Sequence, residues 1–225
     1  MERPRFVDSY GLLFLLLLGI MVLLAIAGDS DWGSAVLLIA MSTATWLALR
    51  ASHVQRTVLR LAVATIPIVT VIALLLLVAG SERTTDILSG ALLLLLVIAA
   101  PLAIVKNLAN RADVTANTFF AAVSVYLLVA MFFATLYSLI ALITREPFFV
   151  QTDDPSAVEY LYFSFTTITT VGYGDYTAAL SLGKMMAMIE AVLGQLYLIT
   201  VVALVVQNLG QARQERLRER EEEES

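Results

Sequence analysis

An all-α membrane protein is the fold class this sequence predicts, on three observations. First, 60% of the 225 residues are hydrophobic and only 15% are charged, with a mean hydropathy of +0.86. A soluble domain of this size has too little interior to hide that much apolar surface. Second, crossing a bilayer core takes about 20 apolar residues, and charge-free runs of that kind fall at 9–28, 32–49, 61–81, 87–105 and 114–144. A sixth, 185–212, is interrupted only by Glu190. Third, the stretch between the last two runs, 145–184, is too polar and too punctuated to span. The composition excludes a disordered chain, a collagen and a soluble enzyme. With no Cys there is no disulfide, thiolate metal site or Cys nucleophile, and one His is too few for a His-based metal site. A net charge of −5 argues against nucleic acid as a partner.

The elements follow in order. Arg3 and Arg5 precede an apolar stretch that ends in Ala25-Ile26-Ala27. This pattern also fits a cleavable signal peptide; an uncleaved first helix over about 10–28 is the expectation. The second helix, 32–49, carries a mildly polar patch of Ser42, Thr43, Thr45 and Trp46. Such residues bond their own backbone or a neighbouring helix, or else hold a modulator. Pro67 and Pro101 fall inside the third helix, 61–80, and the fourth, 87–105, where membrane helices tolerate them. These four helices form a unit over 1–111. A second unit, 112–209, holds an outer helix at about 117–143 and an inner one at about 181–209. The tail, 210–225, pairs Glu215 with Arg218 and Arg216 with Glu219 at helical spacing. Its only large apolar residue is Leu217, too little for a coiled-coil seam.

Lys and Arg set the orientation. With the N-terminus inside, the inner segments hold eleven of them and the outer only Arg83, Arg145 and Lys184. Both termini are therefore expected in the cytoplasm, in a multi-pass plasma-membrane protein. The outer segments hold nine carboxylates, which would raise the local cation concentration. Arg50, His53, Arg56 and Arg60 lie at the inner interface. They snorkel to lipid headgroups, and Arg50, Arg56 and Arg60 are candidates for an anionic lipid; His53 would titrate near neutral pH.

Within 145–184, Asp154 reads as a helix cap and Pro155 as the first helical position. A short helix is expected over about 155–169. It is followed by Thr170-Val171-Gly172-Tyr173-Gly174-Asp175. Here the sequence resembles the potassium channel family, whose selectivity filter has the motif Thr-Val-Gly-Tyr-Gly. The resemblance is specific over about 155–209 and architectural before that. It implies six transmembrane helices, as in voltage-gated-like channels, with a re-entrant pore helix and a selectivity filter between helices five and six. The pore region is of the two-transmembrane ion channel type.

The chemistry explains the residue types. A dehydrated K+ needs oxygens that replace its water shell, and backbone carbonyls serve if successive ones face one axis. An ordinary strand alternates them, so some residues need left-handed dihedrals, which Gly172 and Gly174 adopt at little cost. Val171 and Tyr173 turn their side chains away and pack behind the filter. K+ would bind at Thr170, Val171, Gly172 and Tyr173 within the filter 170–174, the Thr170 hydroxyl adding the innermost ligand. The short helix would aim the negative end of its dipole at the cavity. One chain supplies one filter strand and a closed ring takes four, so a homotetramer is expected, with permeant K+ and no organic cofactor.

The resemblance also implies roles for other residues. Asp175 would form a ring of carboxylates at the filter mouth, against a plain surface position. Tyr162 and Phe163 stand where the family often has Trp, and Thr166 where some members have a buried acid. Gly194 is read as a hinge or as a close-packing residue, with the two alternatives open. Gln195 would face the cavity, and Leu198 and Val202 would form an apolar gate. Glu190, the only acid inside a span, is a candidate by its position. It is expected behind the pore helix near Thr166 or Thr167, as a structural acid or a proton-sensitive gating element.

Voltage sensing needs Arg or Lys repeated along the fourth helix, and 87–105 holds no charge. A channel subunit that conducts K+ passively without strong voltage gating is therefore the leading reading, and not an enzyme. The alternatives are a subunit of a K+ transporter, or a non-conducting membrane scaffold.

Overall fold

The computed structural model describes residues 10–27, 31–51, 67–68, 70–72, 75, 83–108 and 116–201. Its elements are α1 (Tyr10–Ala27), α2 (Asp31–Ala51), α3 (Arg83–Leu108), α4 (Ala116–Thr144), α5 (Ala157–Ile168) and α6 (Ser181–Val201). The described residues are helical apart from loops and one isolated antiparallel bridge, Phe149 to Ala178. The expected third helix lies mostly outside the described residues; 67, 68, 70–72 and 75 are helical. His53, Arg56, Arg60, Val202 and the tail 210–225 also lie outside them.

Two helices, Thr118–Thr144 of α4 and Ser181–Val201 of α6, are long and apolar enough to cross a membrane. The apolar stretches Tyr10–Ile26 and Gly90–Leu102 are shorter. α3 continues through Pro101, as a helix supported by neighbours can.

α4 is the hub. α1, α3 and α5 pack on it, and α2 packs on α1 and α3. The contacts repeat at three- and four-residue spacing, which brings one stripe of each helix to its neighbour. Leu13, Leu17 and Ile20 of α1, Val97, Ala100 and Ile104 of α3, and Ala121, Val125 and Leu128 of α4 belong to one buried core. Ala44 and Ala48 of α2 join the same core, where small side chains let helix backbones approach. In the polar patch of α2, the Ser42 and Thr70 hydroxyls share a hydrogen bond of 2.6 Å. The Thr43 hydroxyl donates to the Ile39 carbonyl at 2.8 Å. Arg50 lies over the Trp46 ring, 5.1 Å from its centre.

A second core lies along the C-terminal part of α4. Phe133 and Tyr137 of α4, Phe148 and Phe149 of the following loop, Tyr160 and Phe163 of α5, and Ala178 cluster together. Ring centres are 4.9 Å apart for Tyr137 and Phe148, and 5.3 Å for Tyr137 and Phe163. The loops on either side of α5 are tied by Val150 N–H to Thr177 O (3.0 Å) and Ala179 N–H to Phe148 O (2.7 Å). Gly183 starts α6 hard against this cluster: a Cβ there would lie 2.8 Å from the Phe148 ring.

The start of α5 corrects the expectation from Asp154 and Pro155. Ser156 is the cap, in an extended conformation, and its hydroxyl accepts from Glu159 N–H while the Glu159 carboxylate accepts from Ser156 N–H. This reciprocal pair satisfies two otherwise free amides, which Asp154 could not do from two residues further back. Pro155 lies just before the cap.

Candidate functional site

The segment after α5 has an unusual backbone. Thr170 has φ 59°, Gly172 φ 50° and Gly174 φ 80°, while Val171 and Tyr173 keep negative φ. Left-handed values therefore alternate with ordinary ones through all five residues. Alternation of this kind turns successive peptide planes the same way, which an extended strand does not. Glycine accepts such values freely. Thr170 is β-branched and does so only at a cost; the sequence reading assigned left-handed conformations to the two glycines and missed this one.

Hydrogen bonds fix which way the planes face. Thr170 N–H donates to Thr167 O at 2.9 Å, and Gly172 N–H to Thr166 O at 3.0 Å. Both acceptors belong to the last turn of α5. No peptide is cis, and in a trans peptide the C=O points opposite to the N–H. The carbonyls of Thr169 and Val171 therefore point away from α5. The end of α5 is itself anchored, since Tyr126 OH donates to Ile168 O at 2.9 Å.

The side chains splay to the other side. Tyr173 lies nearly parallel to Tyr162 of α5, with ring centres 6.3 Å apart and planes 9° apart. Val171 and Tyr173 are 52% and 72% exposed in the single chain. Tyr162 OH donates to Asp175 Oδ2 at 2.7 Å. This bond, more than any other influence, pushes the Tyr162 phenol up to about 12, so it keeps its proton and remains a donor at physiological pH. Beside it, Tyr176 OH donates to Glu159 Oε1 at 2.6 Å. That bond, with the Ser156 amide, holds the Glu159 carboxyl below its ordinary range.

Residues 121–211 match the family model whose description is "ion channel". The match supports an ion channel. It covers most of α4, all of α5, the segment 170–174 and α6, and it supports a membrane protein. No curated protein and no solved structure gives a match to the chain.

α6 brings one of its candidate residues to this segment and two others to the packing behind it. Gln195 Nε2 donates to Thr170 Oγ1 at 3.1 Å, so the glutamine sits against the first residue of the motif. Gly194 is buried, and a Cβ there would lie 2.5 Å from Ile168 Cγ1 and 2.6 Å from Ile168 O. Of the two readings of Gly194, this geometry is that of close packing. Glu190 is fully buried. It does not meet Thr166 or Thr167 as expected. Its carboxyl contacts Ser164 Oγ and accepts from Tyr137 OH at 2.5 Å. The reason is helical register: Ser164 lies on the buried face of α5, whereas Thr166 turns its hydroxyl back to Phe163 O at 3.0 Å. Leu198 is partly exposed at 38%.

Sequence reasoning missed Tyr126, Tyr137, Ser164 and Tyr176 as supports. The Ser156-x-x-Glu159 cap was findable from its spacing. The tyrosines carried no local signal, because their partners lie 17 to 53 residues away.

Proposed function

We propose that this chain is a subunit of a potassium-selective channel that conducts K+ passively, with four copies around one axis. The observation that carries the reading is the alternation of φ over 170–174 on the sequence Thr-Val-Gly-Tyr-Gly. A backbone of that kind can offer a queue of carbonyl oxygens to a dehydrated cation, as K+ filters do. Residues at ~3.3 Å each give several closely spaced sites at Thr170, Val171, Gly172 and Tyr173. Asp175 adds negative charge at the mouth.

A homotetramer is supported by what one chain leaves uncovered. Val171, Tyr173 and a stripe on α6, Met185, Met188, Val192, Leu196 and Ile199, are all exposed. The stripe has three- and four-residue spacing, the pattern that packs helix on helix. The remaining parts of the reading extend it. The helices before residue 112 form a transmembrane unit of four, giving six spans, and 112–209 is the pore domain. α5 is the re-entrant pore helix, and both termini face the cytoplasm of a plasma membrane. With no charge over 87–105, the channel is not strongly voltage-gated. Leu198 and Val202 narrow the inner pore, and Arg50, with Arg56 and Arg60, takes anionic lipid headgroups.

Vesicles reconstituted with the purified protein test this reading. Ba2+-blocked K+ flux exceeding Na+ flux is the expected result, together with a particle of four chains. Equal K+ and Na+ flux, flux that needs a coupled gradient, or a monomer would refute it.

A further inference from the structure

Glu190 sits where α4, α5 and α6 meet. Tyr137 of α4, Ser164 of α5 and Glu190 of α6 are all fully buried. Two close oxygen–oxygen contacts link them, Tyr137 OH to Glu190 Oε2 at 2.5 Å and Ser164 Oγ to Glu190 Oε1, and a third runs from Ser164 Oγ to Ala130 O of α4 at 2.6 Å.

Counting hydrogens identifies the form of the acid. Each hydroxyl carries one hydrogen, a carbonyl oxygen carries none, and an ionised carboxylate only accepts. Tyr137 supplies the first contact. Ser164 can supply one of the other two but not both. With an ionised Glu190, one buried pair of oxygens would face each other with no hydrogen between them. With a proton on Oε1, Glu190 donates to Ser164 Oγ, Ser164 donates to Ala130 O, and Tyr137 donates to Oε2. All three contacts are then hydrogen bonds. The surroundings agree: among the described residues Glu190 has no ion pair, and a buried charge without a partner is costly. The titratable groups facing it are Tyr137 and Tyr126 of α4; α5 presents the Ser164 hydroxyl.

We propose that Glu190 is held as an undissociated carboxylic acid and that in this form it positions α5, and through α5 the filter, against α4 and α6. This rests on reading 170–174 as a filter. The route is short. Ser164 lies two residues before Thr166, whose carbonyl receives Gly172 N–H. Removing the proton leaves one serine hydrogen for two acceptors, so α5 loses its tie either to the Ala130 carbonyl or to α6.

Infrared difference spectra between the wild-type chain and Glu190→Gln, both in lipid bilayers, test the first half. At neutral pH the wild type is expected to show the carbonyl stretch of an undissociated carboxyl that the variant lacks. That band should vanish as pH rises. The second half is read as K+ over Na+ permeability against pH. In Glu190→Gln the amide keeps the pattern, with Nε2 donating to Ser164 and Oε1 accepting from Tyr137. Its ratio is expected to stay flat, while the wild-type ratio falls several-fold across the pH range where the band is lost. A carboxylate signal alone at neutral pH overturns the proposal. So does a wild-type ratio that follows the variant through loss of the band. If Glu190→Gln does not fold, Ser164→Ala serves instead, since it removes the hydroxyl that receives the proton and must shift the band; an unmoved band overturns the assignment. The spectra do not depend on conduction. A band present in a protein that passes no K+ therefore refutes the channel reading and the positioning role while leaving the state of the acid established.

Discussion

Replacing Gly194 by Ala would force α6 away from the end of α5. The added methyl would lie 2.5 Å from Ile168 Cγ1 and 2.6 Å from Ile168 O. Close carbon–oxygen contacts ordinarily lie at about 3.3–3.6 Å, so the surfaces must separate by about 0.7–1 Å. The isoleucine side chain can rotate. Its carbonyl cannot, because it ends a helix and accepts from Tyr126 OH at 2.9 Å. Overpacking of this kind costs roughly 1–3 kcal/mol, which at ordinary temperature is a factor of about 5 to 160 in the folding equilibrium. The strain falls next to Thr167, whose carbonyl receives Thr170 N–H. Gly194→Ala should therefore lower the melting temperature of the detergent-solubilised protein by several degrees and reduce K+ over Na+ permeability in vesicles. Gly19→Ala is the control, since a Cβ at Gly19 in α1 meets nothing within 4 Å. A Gly194→Ala protein indistinguishable from wild type in both measurements would refute the close-packing account.

Gly172→Ala tests the backbone alone, since a Cβ there meets nothing within 4 Å but φ is +50°. Holding an L-residue in that region costs roughly 1–2 kcal/mol, so the K+ to Na+ ratio should drop while the oligomer, sized by light scattering, stays intact. Tyr162→Phe removes the donor 2.7 Å from Asp175; the mouth carboxylate should become mobile and steady K+ flux should fall, whereas unchanged flux would leave Asp175 as a plain surface charge. The pH prediction concerns Glu159, whose carboxyl is lowered chiefly by the Tyr176 hydroxyl. A lowered acid stabilises the fold above the ordinary carboxylate range, and that contribution disappears as pH falls through the lowered value. Melting temperature should thus decline on acidification below about pH 4, and Tyr176→Phe should flatten part of that decline; a variant with the full wild-type decline would argue against the tie.

The helix positions were legible because long charge-free apolar runs favour helices, although among the described residues only Thr118–Thr144 and Ser181–Val201 are long and apolar enough to cross a membrane. The apolar runs at 9–28, 32–49, 87–105 and 114–144 coincide with α1, α2, α3 and α4. The left-handed backbone of 170–174 was legible at Gly172 and Gly174, where only residue type matters. It was not legible at Thr170, because a β-branched residue gives no hint that its surroundings impose φ 59°. The helix start was misread because two signals competed, Asp154-Pro155 and Ser156-x-x-Glu159; the second wins because it satisfies two amides at once. The partners of Glu190 were beyond reach for a different reason. Tyr137 is 53 residues away and Ser164 is 26, and only packing decides which hydroxyls a buried acid meets.

The aromatic cluster along the C-terminal part of α4 has a mechanical consequence. Tyr137, Phe148 and Phe163 come from three successive segments yet their rings interlock, and Gly183 presses the fourth against Phe148. None of the four can swing without dragging the rest, so that end behaves as a stiff collar. Any bending of α4 must then fall toward its other end, away from these rings.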